Sequence, residues 1–331
     1  MRIPRIIAQN LDDLFVVGGA VRDFLLGINP KEYDLITTTP LDEIKFRTFK
    51  ESKTGETVGA FMNGVKYDIS HYKSLDLDLK RRDFTINSMA FPVSKDGKVI
   101  EEIVDLCNGL KDLKDRILRS FDPDTNMRSD PVRILRGLRL IANYNLDVEK
   151  NTLISMKKYM PLVENVSKER LFQPLDGFVR GKYFEKSIPV AKDLKIEILG
   201  IPSQNLEMAS KVDPNCRWQA IFAESNSDEF AIKVFPPKEI LRSILRMNEF
   251  VDQIKNKRYE WAVKIKPHEA GCLSQILNAL GMDDEIVRKR MRSKLGISAE
   301  ALKSQGISGR EIGKRLAEEW KKVLEAQRNI L

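Results

Sequence analysis

The chain has 331 residues, 42% of them hydrophobic and 31% charged, which is too much apolar material for a wholly disordered protein and enough for more than one core. Fourteen Pro and eighteen Gly are too few for a low-complexity or collagen-like chain. Fifty-six Lys and Arg against 48 Asp and Glu leave a formal charge of +8, a mild excess that suits an anionic partner.

Three further expectations come cheaply. Cys107, Cys216 and Cys272 are far apart and form no CxxC pair, so they read as reduced core thiols in a reducing, cytoplasmic compartment. Two histidines, His71 and His268, are too few for a histidine-rich metal site, including that of the HD phosphohydrolases. No apolar run approaches the roughly 20 residues of a bilayer span, so no membrane partner is expected. The first fifteen residues carry acids and no long apolar stretch, so no signal peptide is expected either.

In chain order, Leu14 to Val17 is a short apolar run ending at Gly18-Gly19, a buried strand closed by a tight turn. Ala20 to Leu26 reads as a helix stopped by Gly27. Tyr33 to Thr37 reads as a second strand. Thr57 to Met62 and Val65 to Ser70 flank Asn63-Gly64, a hairpin signal. Thr85 to Phe91 and Val99 to Asp105 are expected to complete a small sheet. After about residue 115 the periodicity is helical, with breaks expected at Pro161, Pro174, Pro189, Pro202, Pro214 and Pro236-Pro237. Gly309 to Leu331 reads as a charged amphipathic helix. The fold class is α+β: a compact head with a small mixed sheet, then an all-α remainder.

The head carries the chemistry. Two glycines after a strand let backbone approach a phosphate with no Cβ in the way, and Arg22 is placed to pair with a phosphate oxygen. Glu32 and Asp34 alternate on a strand, so both carboxylates face one side. Two carboxylates on one rigid face suit a pair of Mg²⁺ ions, one activating a hydroxyl and one neutralising leaving pyrophosphate. Asp68, on the later strand around Tyr67 to Ser70, is a candidate third carboxylate. Each feature alone is commonly a turn or a solvated face; their order along the chain is what points to a site.

Val17-Gly-Gly-Ala-Val-Arg-Asp23 and Arg81-Arg-Asp-Phe-Thr-Ile-Asn-Ser-Met-Ala90 resemble the signature motifs of the class II tRNA nucleotidyltransferase and bacterial poly(A) polymerase family. Ser129-Asp-Pro-Val-Arg-Ile-Leu-Arg-Gly-Leu-Arg139 is similar to the family's neck motif, and Val104 to Leu113 to its head-to-neck connector. Gly306 to Gly313 resembles a loop-helix element near the family's C-terminus. The matches are dense from about residue 14 to 140 and thin beyond.

The resemblance implies a polymerase-β-like head over 1–117, a helical neck over 118–200, a body over 201–267 and a tail over 268–331. It implies addition of CMP, and in some members AMP, to a tRNA 3′ end from CTP and ATP, with two Mg²⁺ ions as cofactors. By the same resemblance Gly18, Gly19 and Arg22 hold the triphosphate, and Glu32 and Asp34 bind metal. Arg81, Arg82, Asp83 and Asn87 form the ribose and phosphate side of the pocket. Asp130 and Arg133 read the base, with Arg136 and Arg139 beside them. An Asp–Arg pair offers acceptors and donors that satisfy cytosine or adenine and mismatch uracil or guanine.

Three departures matter. Glu32 stands where the family has Asp, Ser129 where it has an acid, and the stretch from Asp68 to Lys80 leaves hardly any of the flexible loop that CCA-adding members carry. A missing lever implies that the pocket does not remodel from C to A, hence CC addition. A poly(A) polymerase, an A-adding enzyme and an impaired RNA-binding protein are the competing readings. Basic residues of the helical part are expected to track an RNA backbone: Lys289, Arg290 and Arg292, with Lys314 and Arg315 on the last helix.

Overall fold

The structure, a computed structural model, describes residues 1–50 and 57–326. The expected last helix therefore lies outside the described residues from 327 onward. The chain forms two compact units, Met1–Val163 and Glu164–Leu331. The division at 117, 200 and 268 is proposed as a finer one.

The first unit is built on a sheet. Its strands are β1 (Phe15–Val17), β2 (Glu32–Thr37), β3 (Phe49–Lys50), β4 (Thr57–Met62), β5 (Val65–His71), β6 (Met89–Pro92) and β7 (Val104–Asp105). Their order is β3-β4-β5-β2-β1-β6-β7, and the β2–β5 pair alone is parallel among these neighbours. Val16, Val17, Leu35, Ile36, Ile69 and Ala90 are buried because the central strands are covered, as a near-continuous apolar run requires. Asn63 and Gly64 both have positive φ, 53° and 76°, the conformation a tight hairpin between β4 and β5 demands. A small parallel pair, β8 (Ile117–Leu118) with β9 (Asp147–Val148), lies beyond the sheet. The helix Val132–Tyr144 buries Ile134, Leu135, Leu138 and Ile141 on one face and keeps its arginines off it.

Two expected strands shrink. Thr85–Asn87 is a single 3-10 turn, and only Met89–Pro92 pairs. The turn is held by Asn87 N–H donating to the Phe84 carbonyl, 2.9 Å, and by Ser88 Oγ donating to the same carbonyl, 3.0 Å. Of Val99 to Asp105, only Val104–Asp105 is a strand, with Val99 making one isolated bridge to Val93.

The second unit is helical in its described residues. Pro189 does not break its helix, Phe184–Asp193: buried Phe184, Ile188 and Ala191 hold the helix through it, a case of packing overriding propensity. Pro174 lies in the first turn of a helix, Phe172–Val179, where its missing N–H has no intrahelical partner to lose. The thiol expectation also changes. Cys216 and Cys272 form a disulfide with Cα atoms 5.4 Å apart, while Cys107 is a buried free thiol. The pair is 56 residues apart in sequence, so spacing was silent and helix packing joined them. No described helix is long and apolar enough to cross a membrane.

Candidate active site

Strand register builds the site floor. Val17 lies opposite Asp34, and Asp34 lies opposite Asp68 on the other side. Glu32 pairs in register with Lys66, so Glu32, Asp34, Lys66 and Asp68 project from one face of β2 and β5. Lys66 Nζ reaches Asp68 at 3.0 Å. Asp34 remains open to solvent yet is ringed by protein. Burial pushes its carboxyl up; Arg82 pulls it down and the charge of Glu32 adds to the rise.

Gly18 closes this floor. Its φ is +72°, and a Cβ there would meet Arg82 Nη1 at 2.9 Å and Asp34 Oδ2 at 3.0 Å. Glycine is thus required twice, by conformation and by space. Gly18, Asp34 and Arg82 meet at one point.

Both arginines of the Arg81-Arg82 pair are aimed by one carboxylate. Asp78 Oδ1 accepts from Arg81 Nε (3.1 Å) and Nη2 (2.6 Å), and Oδ2 accepts from Arg82 Nε (3.1 Å) and Nη2 (3.0 Å). Asp78 is only 4% exposed. Burial alone would raise its carboxyl, but the two guanidinium groups outweigh burial and hold it below the usual range. The short helix Leu75–Lys80, capped by the Ser74 hydroxyl, sets this spacing. Sequence reading passed over Asp78, although its i+3 and i+4 relation to two arginines is a legible helical signal.

A second network runs deeper. Asp83, 4% exposed, accepts from Phe84 N–H (2.9 Å), Asn87 Nδ2 (3.0 Å) and Arg136 Nε (2.7 Å). Burial opposes its charge, and Arg136 with these donors more than compensates, so its carboxyl is held low. Asn87 Oδ1 in turn accepts from Arg22 Nη1 at 2.6 Å. Arg22 Nε and Nη2 bond Asp23 Oδ1, and Nη2 also bonds the Tyr144 hydroxyl at 2.7 Å. Four of the five Arg22 N–H groups are therefore engaged within the protein, which the sequence did not disclose.

The remaining candidates sit on or beside the helix Val132–Tyr144. Arg133 Nη1 donates to Asn126 Oδ1, and Asn126 Nδ2 donates to the Arg82 carbonyl at 3.1 Å. Asp130 precedes that helix and its charge acts on Arg133 and Arg136. Arg139 is pushed down by burial and by its cationic neighbours Arg136 and Arg22. Gly19 approaches Arg22, a Cβ there lying 3.3 Å from Nη2. Ser129 caps locally, its Oγ donating to the Asn126 carbonyl at 3.2 Å.

In the second unit the five RNA-tracking candidates divide. Lys289 donates to the Leu324 carbonyl at 2.7 Å, and Arg290 bonds the Ala262 carbonyl with its guanidinium 3.8 Å above Trp320. These two tie helices together. Arg292 and Lys314 are exposed, and Arg315 lies 3.6 Å from Glu311.

Among the described residues no three Asp, Glu, His or Cys side chains gather as a closed metal cage. The donor set fits a different arrangement. Mg²⁺ commonly takes one or two carboxylates and completes its shell with water and substrate phosphate. Asp34, pushed up by burial and by Glu32, is a carboxylate that a cation would relieve.

The head thus joins a mixed sheet, a glycine turn at the end of its first strand, a carboxylate face beside it and arginines held by buried carboxylates. Residues 14–65 and 45–119 match the poly A polymerase head domain. The chain is 36% identical over 198 residues to the CCA-adding enzyme of Streptococcus mutans, covering 53% of this chain and 48% of that protein. It is 31% identical over 176 residues to the CC-adding tRNA nucleotidyltransferase of Halalkalibacterium halodurans, covering 52% and 45%. The chain thus spans about half the length of the curated relatives it matches. Its fold is similar to the Thermotoga maritima CCA-adding enzyme complexed with tRNA (TM-score 0.74, 22% identity, 98% of this chain and 91% of that one). It is also similar to the Bacillus stearothermophilus CCA-adding enzyme in complex with CTP (0.73, 21%, 95% and 89%).

Proposed function

We propose that this chain extends the 3′ end of tRNA without a nucleic-acid template, adding CMP from CTP with release of pyrophosphate. The observation that carries the reading is the meeting of Gly18, Asp34 and Arg82, where backbone without a Cβ, a carboxylate and a guanidinium converge. The relatives that match are named CCA-adding and CC-adding enzymes, and solved structures of similar fold are described with tRNA, CTP and ATP, which supports tRNA and these nucleotides as partners here.

In this reading the Gly18-Gly19 turn lets a triphosphate lie against backbone, and Arg82, steered by Asp78, faces its negative charge. The RNA 3′-hydroxyl attacks the α-phosphorus and pyrophosphate leaves. Glu32 and Asp34, with Asp68 in register, would hold Mg²⁺, which when bound lowers the hydroxyl pKa and neutralises the leaving group. Glu32 is one methylene longer than the family's Asp, so Asp34 carries the more constrained position. Asp130 and Arg133 present acceptors and donors to the edge of cytosine, with Arg133 anchored through Asn126.

The finer reading is CC addition. Only Tyr72, Lys73 and Ser74 separate β5 from the helix Leu75–Lys80, and that helix leads straight into Arg81, leaving no length for a mobile lever. The test is purified protein with Mg²⁺, CTP and ATP and a tRNA ending at its discriminator base, the products sequenced. Two cytidines and no adenosine is the expected outcome. A complete CCA end at equal rates overturns the CC limit, adenosine alone favours an A-adding enzyme, and no incorporation favours an RNA-binding protein.

A further inference from the structure

We infer that Tyr144 is a positioning residue for the nucleotide pocket, acting through Arg22. The inference rests on the reading above, in which Asp130 and Arg133 meet the base.

Tyr144 is the last residue of the helix Val132–Tyr144. Its hydroxyl accepts from Arg22 Nη2 at 2.7 Å and donates to Asp23 Oδ1 at 2.8 Å. Its ring lies under the same guanidinium, 4.2 Å from centroid to Cζ, a cation–π contact. Burial pushes the phenol up to about 12, so it remains a donor to Asp23 at any working pH.

From Arg22 the path continues to Asn87, to Asp83 and to Arg136. Arg136 belongs to the same helix as Tyr144, so the path closes into a ring. The helix is held at two points eight residues apart, about 12 Å along its axis. One point of attachment leaves a helix free to pivot or turn about its axis; two points remove both freedoms. Arg133 lies one turn before Arg136, so its reach toward a base depends on that fixed rotation.

Arg22 therefore acts as a knot rather than a free phosphate clamp. It is 6% exposed and has four N–H groups engaged. The ring links the Gly19–Leu25 helix, which follows the Gly18 turn, to the helix Val132–Tyr144. Tyr144 joins the element that would hold phosphate to the element that would read the base.

The test is Tyr144→Phe, which keeps the ring and removes the hydroxyl. Steady-state kinetics on tRNA with CTP and with UTP should show CTP selectivity, the ratio of kcat/KM values, reduced about tenfold. The CTP KM should rise while the tRNA KM stays near that of the unmodified chain, and the thermal midpoint should fall only modestly, as loss of one buried hydrogen-bonding hydroxyl requires. Arg133→Ala is measured beside it. If Arg133→Ala loses selectivity and Tyr144→Phe keeps it, the inference fails and the base-reading role stands. If both variants lose selectivity, the inference holds; if Tyr144→Phe loses it and Arg133→Ala does not, the base-reading role fails and the inference falls with it. If neither variant changes selectivity, both fail. If Tyr144→Phe raises the tRNA KM as much as the CTP KM, the hydroxyl is merely structural and the inference falls.

Discussion

In the head, Arg81, Arg82 and Arg136 are held by carboxylates that are almost wholly buried; in the second unit, pairs such as Lys264 with Glu249 meet at the surface, and Arg288 on the buried Asp284 is an exception. Asp78 and Asp83 are each 4% exposed and together orient Arg81, Arg82 and Arg136. Lys264 with Glu249, by contrast, pairs at 2.7 Å with both side chains about half exposed, 52% and 46%. Lys322 with Glu319 is similar. Desolvation makes the head pairs directional and costly to break, while solvent screens the others. Charge count is the same kind of quantity in both regions, yet in the head two buried carboxylates fix the direction of three guanidinium groups.

Three substitutions press on that contrast. The largest effect is expected at Asp34. Asp34→Asn should lower nucleotide incorporation on the order of 1,000-fold, read by product gels. It should also raise the melting temperature at neutral pH. The sign follows from a carboxyl that burial pushes up: the folded state binds its proton more tightly than the unfolded one, so ionisation above the unfolded carboxylate value weakens folding. The stabilisation should vanish in acid, below the unfolded value. Added Mg²⁺ should raise the melting temperature of the unmodified chain and not of Asp34→Asn. A variant that is neither more stable nor less active would remove Asp34 from the site.

Next comes Asp83→Ala, which removes the acceptor of Arg136 Nε, Asn87 Nδ2 and the Phe84 N–H. Because Arg136 is 45% exposed, the cost falls below that of a fully buried break, to about 2–3 kcal/mol by urea unfolding. The Asp83 carboxyl is held low, so its contribution is present above the unfolded carboxylate value and is lost as pH falls through the folded one. The gap between variant and unmodified chain should therefore close in acid. The smallest effect is expected at Lys264→Ala, within about 0.5 kcal/mol and smaller still in added salt. A loss there as large as at Asp83 would erase the distinction between the two regions.

Much of the head was readable from local pattern. Apolar runs ending at Gly18-Gly19, the Asn63-Gly64 hairpin and the alternation of Glu32 and Asp34 are all short-range signals, and each appears where expected. The turn at Thr85–Asn87 stands where a strand is expected, because Thr85 and Ile86 are good strand formers. What prevails there is the need for Asn87 to face both Asp83 and Arg22. The helical unit was less legible. The disulfide between Cys216 and Cys272 and the ties made by Lys289 and Arg290 are long-range partnerships, and basic clusters look alike whether they bind a partner or a carbonyl.

The sequence by itself determined the order of the parts: a glycine turn, a carboxylate pair, an Arg-Arg-Asp segment and an arginine-bearing helix. It also determined which face each carboxylate takes, since strand periodicity does not depend on neighbours. Only the tertiary structure decided what those side chains hold. Arg22 reads in sequence as a phosphate clamp and stands in the fold as a knot joining Asn87, Asp23 and Tyr144. Tyr144 lies 122 residues from it, and no periodicity reaches that far. Side-chain roles follow from which donors and acceptors burial forces together, and burial is a property of the packed chain.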